Sequence, residues 1–417
     1  MNQSTHDPES RSAPPPAPEM AQTVTVPHCQ VCGAAAGRAV YRFRQRLPWA
    51  QAATEQVVRG CPECGFLFMS PRPGRAALTA YYASDSHGSG QVFREEGSGT
   101  RAAQNARMRA GFIAGLLSPG DTVLDIGCGQ GLLLEALRGH GMAGAGLEPS
   151  PAAAAAAAAR GLAVTNGVLG TPLDRQFDAV AMISVLEHLW DPAEGIAAAS
   201  TYLRPGGLMM IEVPNALSPT PSLTDWFSFE HLSHFSPATV ARLMRRSGFR
   251  WAALGSSLRD GGVRLGAVAG ADFPSRPGRW EALEEIEARC PVPALDYSAY
   301  PAKQAALVDG VTERVAALFR RWQSEGRRVA VYGAGLHSLQ LAELVPLAGS
   351  AACFLDGDPR KQGTLFCGLP VHAPEDLRRH QIGAVLLSTA AFIDEMAARV
   401  RGIGGADIAI ADCYGQT

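Results

Sequence analysis

The stretch DTVLDIGCGQGLLLEALRGHG (121–141) constrains this chain more than any other. A run of buried-type apolar residues ends in Asp125. Gly127, Gly129 and Gly131 then shape a turn, and an apolar-periodic segment follows, so the pattern reads strand, tight turn, helix. Removing Cβ atoms in such a turn lets a ligand lie against the backbone, facing the start of the helix. About 20 residues on, GAGLEPSP (144–151) makes a second strand that ends in Glu148, where a carboxylate can hold both hydroxyls of a ribose. These residues alone fit a pyridine dinucleotide as well as S-adenosylmethionine.

The segments that follow keep the alternation. Eight alanines (152–159) closed by Arg160-Gly161 form the next helix, because alanine is the best helix former and glycine suits the C-terminal cap. LAVTNGVLG, FDAVAMISVLEHLWDP and LRPGGLMMIEVPN supply further strands with a helix between the last two. The fold class is therefore α/β, with a doubly wound parallel sheet.

Upstream, PHCQVCG and GCPECGF place Cys29, Cys32, Cys61 and Cys64 in two CxxC pairs, each followed by glycine. Two such knuckles can bring four thiolates together around a structural zinc ion, with a hairpin absorbing the 28 intervening residues. A closed shell of four thiolates leaves no open position for catalysis. The N-terminal segment MNQSTHDPESRSAPPPAPEM has no apolar core, so it reads as a disordered tail rather than a signal peptide. No apolar run reaches the roughly 20 residues of a spanning helix. A net charge of −2 with 18% charged residues gives no sign of nucleic-acid or membrane binding. The expectation is a cytoplasmic monomer with reduced cysteines and a small-molecule substrate.

The expected organisation is a tail (1–27), a zinc-binding module (28–74), a flap and helical linker (75–118), the doubly wound domain (119–270), a helical connector (271–326) and a second Rossmann-like domain (327–417). The last begins at RRVAVYGAGLHS, whose Gly333 and Gly335 could cradle a nucleotide with Asp356 at the ribose, or merely turn tightly between strand and helix.

FSFEHLSHFS (227–236) sets Glu230, His231 and His234 among apolar neighbours. It could be a buried structural network or a proton-transfer site. Adjacent Glu and His on a regular strand would face opposite ways, so their cooperation requires a turn there.

Asp125-Ile-Gly127-Cys128-Gly129, Glu148, FDAV, SVLEHLWDP and LRPGGLMMIEVPN together resemble, in order, the motifs of class I S-adenosylmethionine-dependent methyltransferases. That resemblance implies that Asp125, Gly127, Cys128 and Gly129 lie near the methionine part of the donor and that Glu148 holds its ribose. Ser184 and His188 would approach from the loop after the FDAV strand. The full order, from paired CxxC module to second Rossmann-like domain, is similar to the sugar C-methyltransferases. These methylate carbon next to a ketone in nucleotide-linked deoxysugars. In that family a Tyr-His-Glu-His stretch follows the fifth strand, and Ser228-Phe229-Glu230-His231 stand in its place here. By that likeness His231 is the base, assisted by Glu230, and Ser228, His234 and Tyr82 are candidates at the substrate. Ser228 replaces the family's Tyr, and YGAGLHS lacks the family's Lys. An O- or N-methyltransferase of a glycan or secondary metabolite is the nearest alternative. A nucleotide-dependent oxidoreductase and a zinc-based binding protein are the readings from other classes.

Overall fold

Strand Thr122–Ile126 (β1) sits in the middle of an eight-stranded sheet. In chain order the others are Ala143–Glu148 (β2), Ala163–Asn166 (β3), Phe177–Ile183 (β4), Leu203–Val213 (β5), Phe249–Ser256 (β6), Val263–Ala269 (β7) and Glu281–Ala282 (β8). Their spatial order is β3-β2-β1-β4-β5-β7-β6-β8. The first five run parallel, while β7 lies antiparallel between β5 and β6. The computed structural model describes residues 23–50, 52–83, 101–224, 226–256, 263–269, 279–289, 297–389 and 393–415. Residues 84–100 of the expected flap and helical linker, and most of the expected disordered tail, lie outside the described residues.

Both faces of the parallel part are covered, which is why its strands read as unbroken apolar runs. In β4 the five residues from Ala179 to Ile183 include four that are fully buried. The alanine run forms helix Pro151–Ala159, capped by the Ser150 hydroxyl, which accepts from Ala153 N at 3.2 Å. Gly161 follows at φ +72°, as the left-handed C-terminal position requires. Strand order reverses between β2-β1 and β4, so a crevice opens at the carboxyl end of β1, the usual ligand position in such sheets.

The sheet extends beyond residue 270. β8 pairs with β6 through Trp251 and Ala282. Helix Leu283–Arg289 then packs on helix Pro237–Arg246, with Glu287 bridging Arg242 at 2.6 Å and Arg245 at 3.0 Å. A two-residue strand has no periodicity to detect, so the sequence reads as purely helical there.

The N-terminal module is a four-stranded antiparallel sheet. Ala39–Arg46 and Ala53–Gly60 form the hairpin between the two CxxC pairs, and Leu67–Met69 follows. The fourth strand comes from far away: Ser233 pairs with Phe68 and His234 with Leu67. The FSFEHLSHFS segment is thus built into the cysteine module.

The C-terminal six-stranded sheet runs Leu365–Phe366, Leu369–His372, Cys353–Leu355, Val329–Tyr332, Ala384–Leu387, Ala409–Asp412 in space. Five of its strands are parallel. Helix Tyr300–Ser324 lays Val315, Phe319 and Trp322 against it. No helix among the described residues is long and apolar enough to cross a membrane.

Candidate active site

The glycine turn is built as the sequence suggests. Gly127, Gly129 and Gly131 have φ of +71°, +55° and +78°. A Cβ on Gly127 would lie 2.7 Å from Val185 Cγ2, so the position is closed to larger residues by both backbone and space. The Glu148 carboxylate ties the turn to the end of β2. Its Oε2 accepts from Gly129 N at 2.8 Å and its Oε1 from Ser150 N at 2.9 Å. Asn166, which the sequence did not single out, donates from Nδ2 to the Glu148 carbonyl at 2.9 Å.

A cleft of about 450 Å³ opens here, bordered by Gly127, Gly129, Glu148, Ser184, His188 and Trp190. Ser184 takes φ +55°, unusual for serine, and its N–H donates to the Glu212 carbonyl at 2.8 Å. A smaller recess of about 150 Å³ lies behind the turn, with Asp125, Cys128 and Arg109 in its wall. Asp125 is 3% exposed. Burial, then the charge on Glu148, raises its carboxyl to about 8, and Arg109 partly offsets this. Arg109, on helix Arg101–Ala114, donates to Glu212 Oε1 from Nε at 3.1 Å and from Nη2 at 2.6 Å. Neither Arg109 nor Glu212 stood out in the sequence, because an Arg on an amphipathic helix looks like a solvated one. The Cys128 thiol is turned into the sheet: a Cβ on Gly146 would fall 2.5 Å from its Sγ. Burial raises its pKa further, so Cys128 offers the recess its backbone rather than a reactive sulfur.

The Glu-His pair is carried on a turn, not a strand. His231 N donates to the Ser228 carbonyl at 3.0 Å. The Glu230 carboxylate accepts from the Tyr81 hydroxyl. The Glu230 carbonyl lies 2.8 Å from His188 Nδ1. A carbonyl can only accept, so Nδ1 carries the proton and the neutral His188 ring has its lone pair on Nε2. His231 is fixed the same way, with Nδ1 3.3 Å from the Trp226 carbonyl. The two imidazoles stand side by side, with centroids 5.0 Å apart. Tyr82 borders the cleft, and its hydroxyl lies 3.0 Å from His188 Nδ1. Burial, then the Glu230 charge, raises the phenols of Tyr81 and Tyr82, so both stay protonated donors. Glu187, also missed in the sequence, brings Oε1 to 3.9 Å from His188 Nε2.

The structure brings Glu230, His231, His188 and Tyr82 together beside the cleft, but sets two other candidates back. Ser228 is buried in the turn. His234 is 2% exposed, with its ring 5.2 Å from Trp226 and 4.8 Å from Phe227. Burial and then His231 hold its pKa well below the usual value, so it stays neutral. His234 lies on the module side because residues 233–234 are recruited as a strand of that sheet.

At the four-cysteine knuckles, Cys29 and Cys64 sulfurs are 3.5 Å apart and those of Cys32 and Cys61 3.4 Å. All four sulfurs fall within 4.8 Å of one another. The second glycine turn is closed by its own neighbours. Asp356 Oδ2 accepts from Ala334 N at 2.8 Å and from Lys361 Nζ at 3.1 Å. The half-buried His337 sits between Ser388 Oγ (2.9 Å) and Tyr414 OH (2.7 Å), and desolvation of its ring pushes its pKa down to about 4.

A sequence profile of the methyltransferase domain matches residues 99–254. A ubiquinone biosynthesis O-methyltransferase of Pseudomonas paraeruginosa is 30% identical over 177 residues, 40% of this chain and 75% of that relative. A protein of the same name from Azotobacter vinelandii is 30% identical over 163 residues, 37% of this chain and 69% of that one. Among solved structures, the magnesium protoporphyrin IX methyltransferase of Synechocystis PCC 6803 with bound SAH aligns with 47% of this chain and 100% of its own. Its identity is 15% and its TM-score 0.37. The doubly wound sheet, the profile and the two O-methyltransferase relatives agree, and the chain belongs to the class I S-adenosylmethionine-dependent methyltransferases.

Proposed function

We propose that this methyltransferase alkylates the carbon next to the ketone of a nucleotide-linked deoxysugar, with His231 removing the α proton. The observation that carries this reading is the pairing of His231 and His188, 5.0 Å apart, at the edge of a cleft that also holds Glu148 and the glycine turn. The cleft fits the donor: it is nucleoside-sized, a buried carboxylate stands at the end of β2, and the turn has no side chains to obstruct it.

When bound, S-adenosylmethionine supplies an electrophilic methyl group. Glu148 would hold its ribose, Ser184 and His188 would border the reacting end, and the recess of Asp125 and Arg109 would receive the amino-acid part. The remaining task is to generate and aim the nucleophile. His231 presents Nε2 as base, because the Trp226 carbonyl holds the proton on Nδ1. Glu230, oriented by Tyr81, lies beside it and favours the charged ring that results. The protonated Tyr82 hydroxyl, which borders the cleft, would donate to the oxygen that becomes negative as the proton leaves.

The order of module, methyltransferase core and second α/β sheet supports the sugar-nucleotide reading. The four cysteines fit a structural zinc ion: tetrahedral bonds of about 2.3 Å separate sulfurs by roughly 3.8 Å. Sulfur distances of 3.4 and 3.5 Å need little adjustment to reach that. A second reading, O-methylation of a hydroxyl, is favoured by the names of the relatives, and His231 would then deprotonate oxygen.

The test is to incubate labelled S-adenosylmethionine with 4-keto-deoxysugar nucleotides and with phenolic acceptors, using wild type and His231→Ala. Deuterium wash-in from solvent at the α carbon, absent in His231→Ala, supports the carbon reading. Label appearing on oxygen with no wash-in establishes the second. Undiminished turnover in His231→Ala removes His231 as the base.

A further inference from the structure

Two side chains of the cysteine module reach the wall of the proposed donor cleft. Gln30 lies between Cys29 and Cys32 on the first knuckle, and its Nε2 donates to the Trp190 carbonyl at 2.8 Å. Its Oε1 accepts from Arg72 Nη1 at 3.2 Å. The Arg72 guanidinium stands 4.2 Å from the centre of the Trp190 ring. Trp190 and the next residue, Asp191, both line the cleft.

Arg72 is 1% exposed, and its Nε has no hydrogen-bond partner among the described residues. Burial lowers its pKa to about 10, and the Asp191 charge partly restores it. Burying a guanidinium is costly, so it persists where it does something an apolar residue would not. Here it faces Trp190 by cation–π attraction and holds Gln30 in place. Asp191 is committed on its other side to capping helix Pro192–Ser200, accepting from Ala193 N at 2.8 Å and Glu194 N at 3.1 Å. Residues 190–191 are therefore gripped by the helix start and by the knuckle.

We infer that Gln30 and Arg72 are positioning residues for the methyl donor: they tie the four-cysteine knuckle to Trp190, so that metal on the cysteines and donor in the cleft are coupled. The inference rests on reading the cysteines as a metal site and the cleft as the donor site. Coupling of this kind is reciprocal, so it can be read from either end.

The test uses the full-length, metal-loaded protein with S-adenosylhomocysteine as the probe. Gln30→Glu keeps the partner of Arg72 but turns an acceptor toward the Trp190 carbonyl. Its dissociation constant for S-adenosylhomocysteine should rise about five- to tenfold with zinc content unchanged. Independently of any variant, the visible bands of the cobalt-substituted wild type should shift when S-adenosylhomocysteine is added, and Gln30→Glu should lose the shift. Affinity within twofold of wild type in both Gln30→Glu and Gln30→Met, with cobalt bands indifferent to the ligand, overturns the coupling alone. Wild type that takes up no metal, or binds no S-adenosylhomocysteine, overturns the reading beneath it as well.

Discussion

His188 Nδ1 lies 2.8 Å from the carbonyl oxygen of Glu230, joining the loop after β4 to the turn that carries His231. One hydrogen bond across 42 residues of sequence sets both the tautomer of His188 and the place of the Glu-His pair beside it. The two imidazoles, His188 and His231, are thus oriented by backbone carbonyls, which do not titrate.

Replacing His231 by Ala should lower methyl transfer by about 10²- to 10⁴-fold, the usual contribution of a positioned base. S-adenosylhomocysteine affinity should stay close to wild type, because the cleft is bordered by His188 rather than His231. Single-turnover rates with calorimetry separate the two effects.

Tyr81→Phe removes the hydroxyl that Glu230 accepts from, while the ring keeps its neighbours Trp49 and Phe229 at 5.7 and 5.4 Å. Transfer should fall roughly tenfold, as expected for one hydrogen bond to a charged group, and Tm should change little. A large drop in Tm with normal turnover would make the contact structural.

Asp125 predicts a pH dependence of stability. Its carboxyl, at about 8 in the fold, lies above the unfolded value of about 3.9. The folded chain therefore holds this proton more tightly. The stabilisation is complete below pH of about 4 and is lost as pH rises toward 8. Asp125→Asn cannot titrate, so its Tm should fall less than that of wild type between pH 5 and 8.5. Parallel melting curves across that window would contradict the shift.

Gly127→Ala adds a methyl that meets Val185 at a backbone angle of +71°. S-adenosylhomocysteine affinity should drop by an order of magnitude or more, since strain of about 1–3 kcal/mol falls on the turn itself. The double variant Gly127→Ala, Val185→Ala should recover part of it. Calorimetry on both proteins decides.

Cys61→Ser should reduce bound zinc from about one equivalent to near none and lower Tm, as removal of one of four thiolates opens the shell. The strand pair His234–Leu67 runs from this module to the Glu-His turn, so proton exchange into the substrate should fail too. Metal analysis with thermal melts checks the first two outcomes.

Much of this was legible in the chain itself. Asp125 to Gly131 and Glu148 carry their message locally: glycines at positions of positive φ, an apolar run before them, and a carboxylate at the next strand end. The paired CxxC knuckles and the hairpin between them are equally local. Helix 151–159 follows from composition alone, since eight alanines have no better conformation in water.

Other features were decided only when distant segments met. Ser233 and His234 show nothing in sequence that marks them as a strand, because two residues carry no period. They pair with Leu67–Met69 because that edge of the module is open and its backbone groups need partners. That pairing buries His234 in the module and leaves His231 on the turn before it. Tyr81 meeting Glu230, Arg109 meeting Glu212 and Gln30 meeting Trp190 are likewise contacts across roughly 100 residues or more. Local chemistry set which residues could serve the reaction, and long-range backbone pairing and burial set which of them stand beside the cleft.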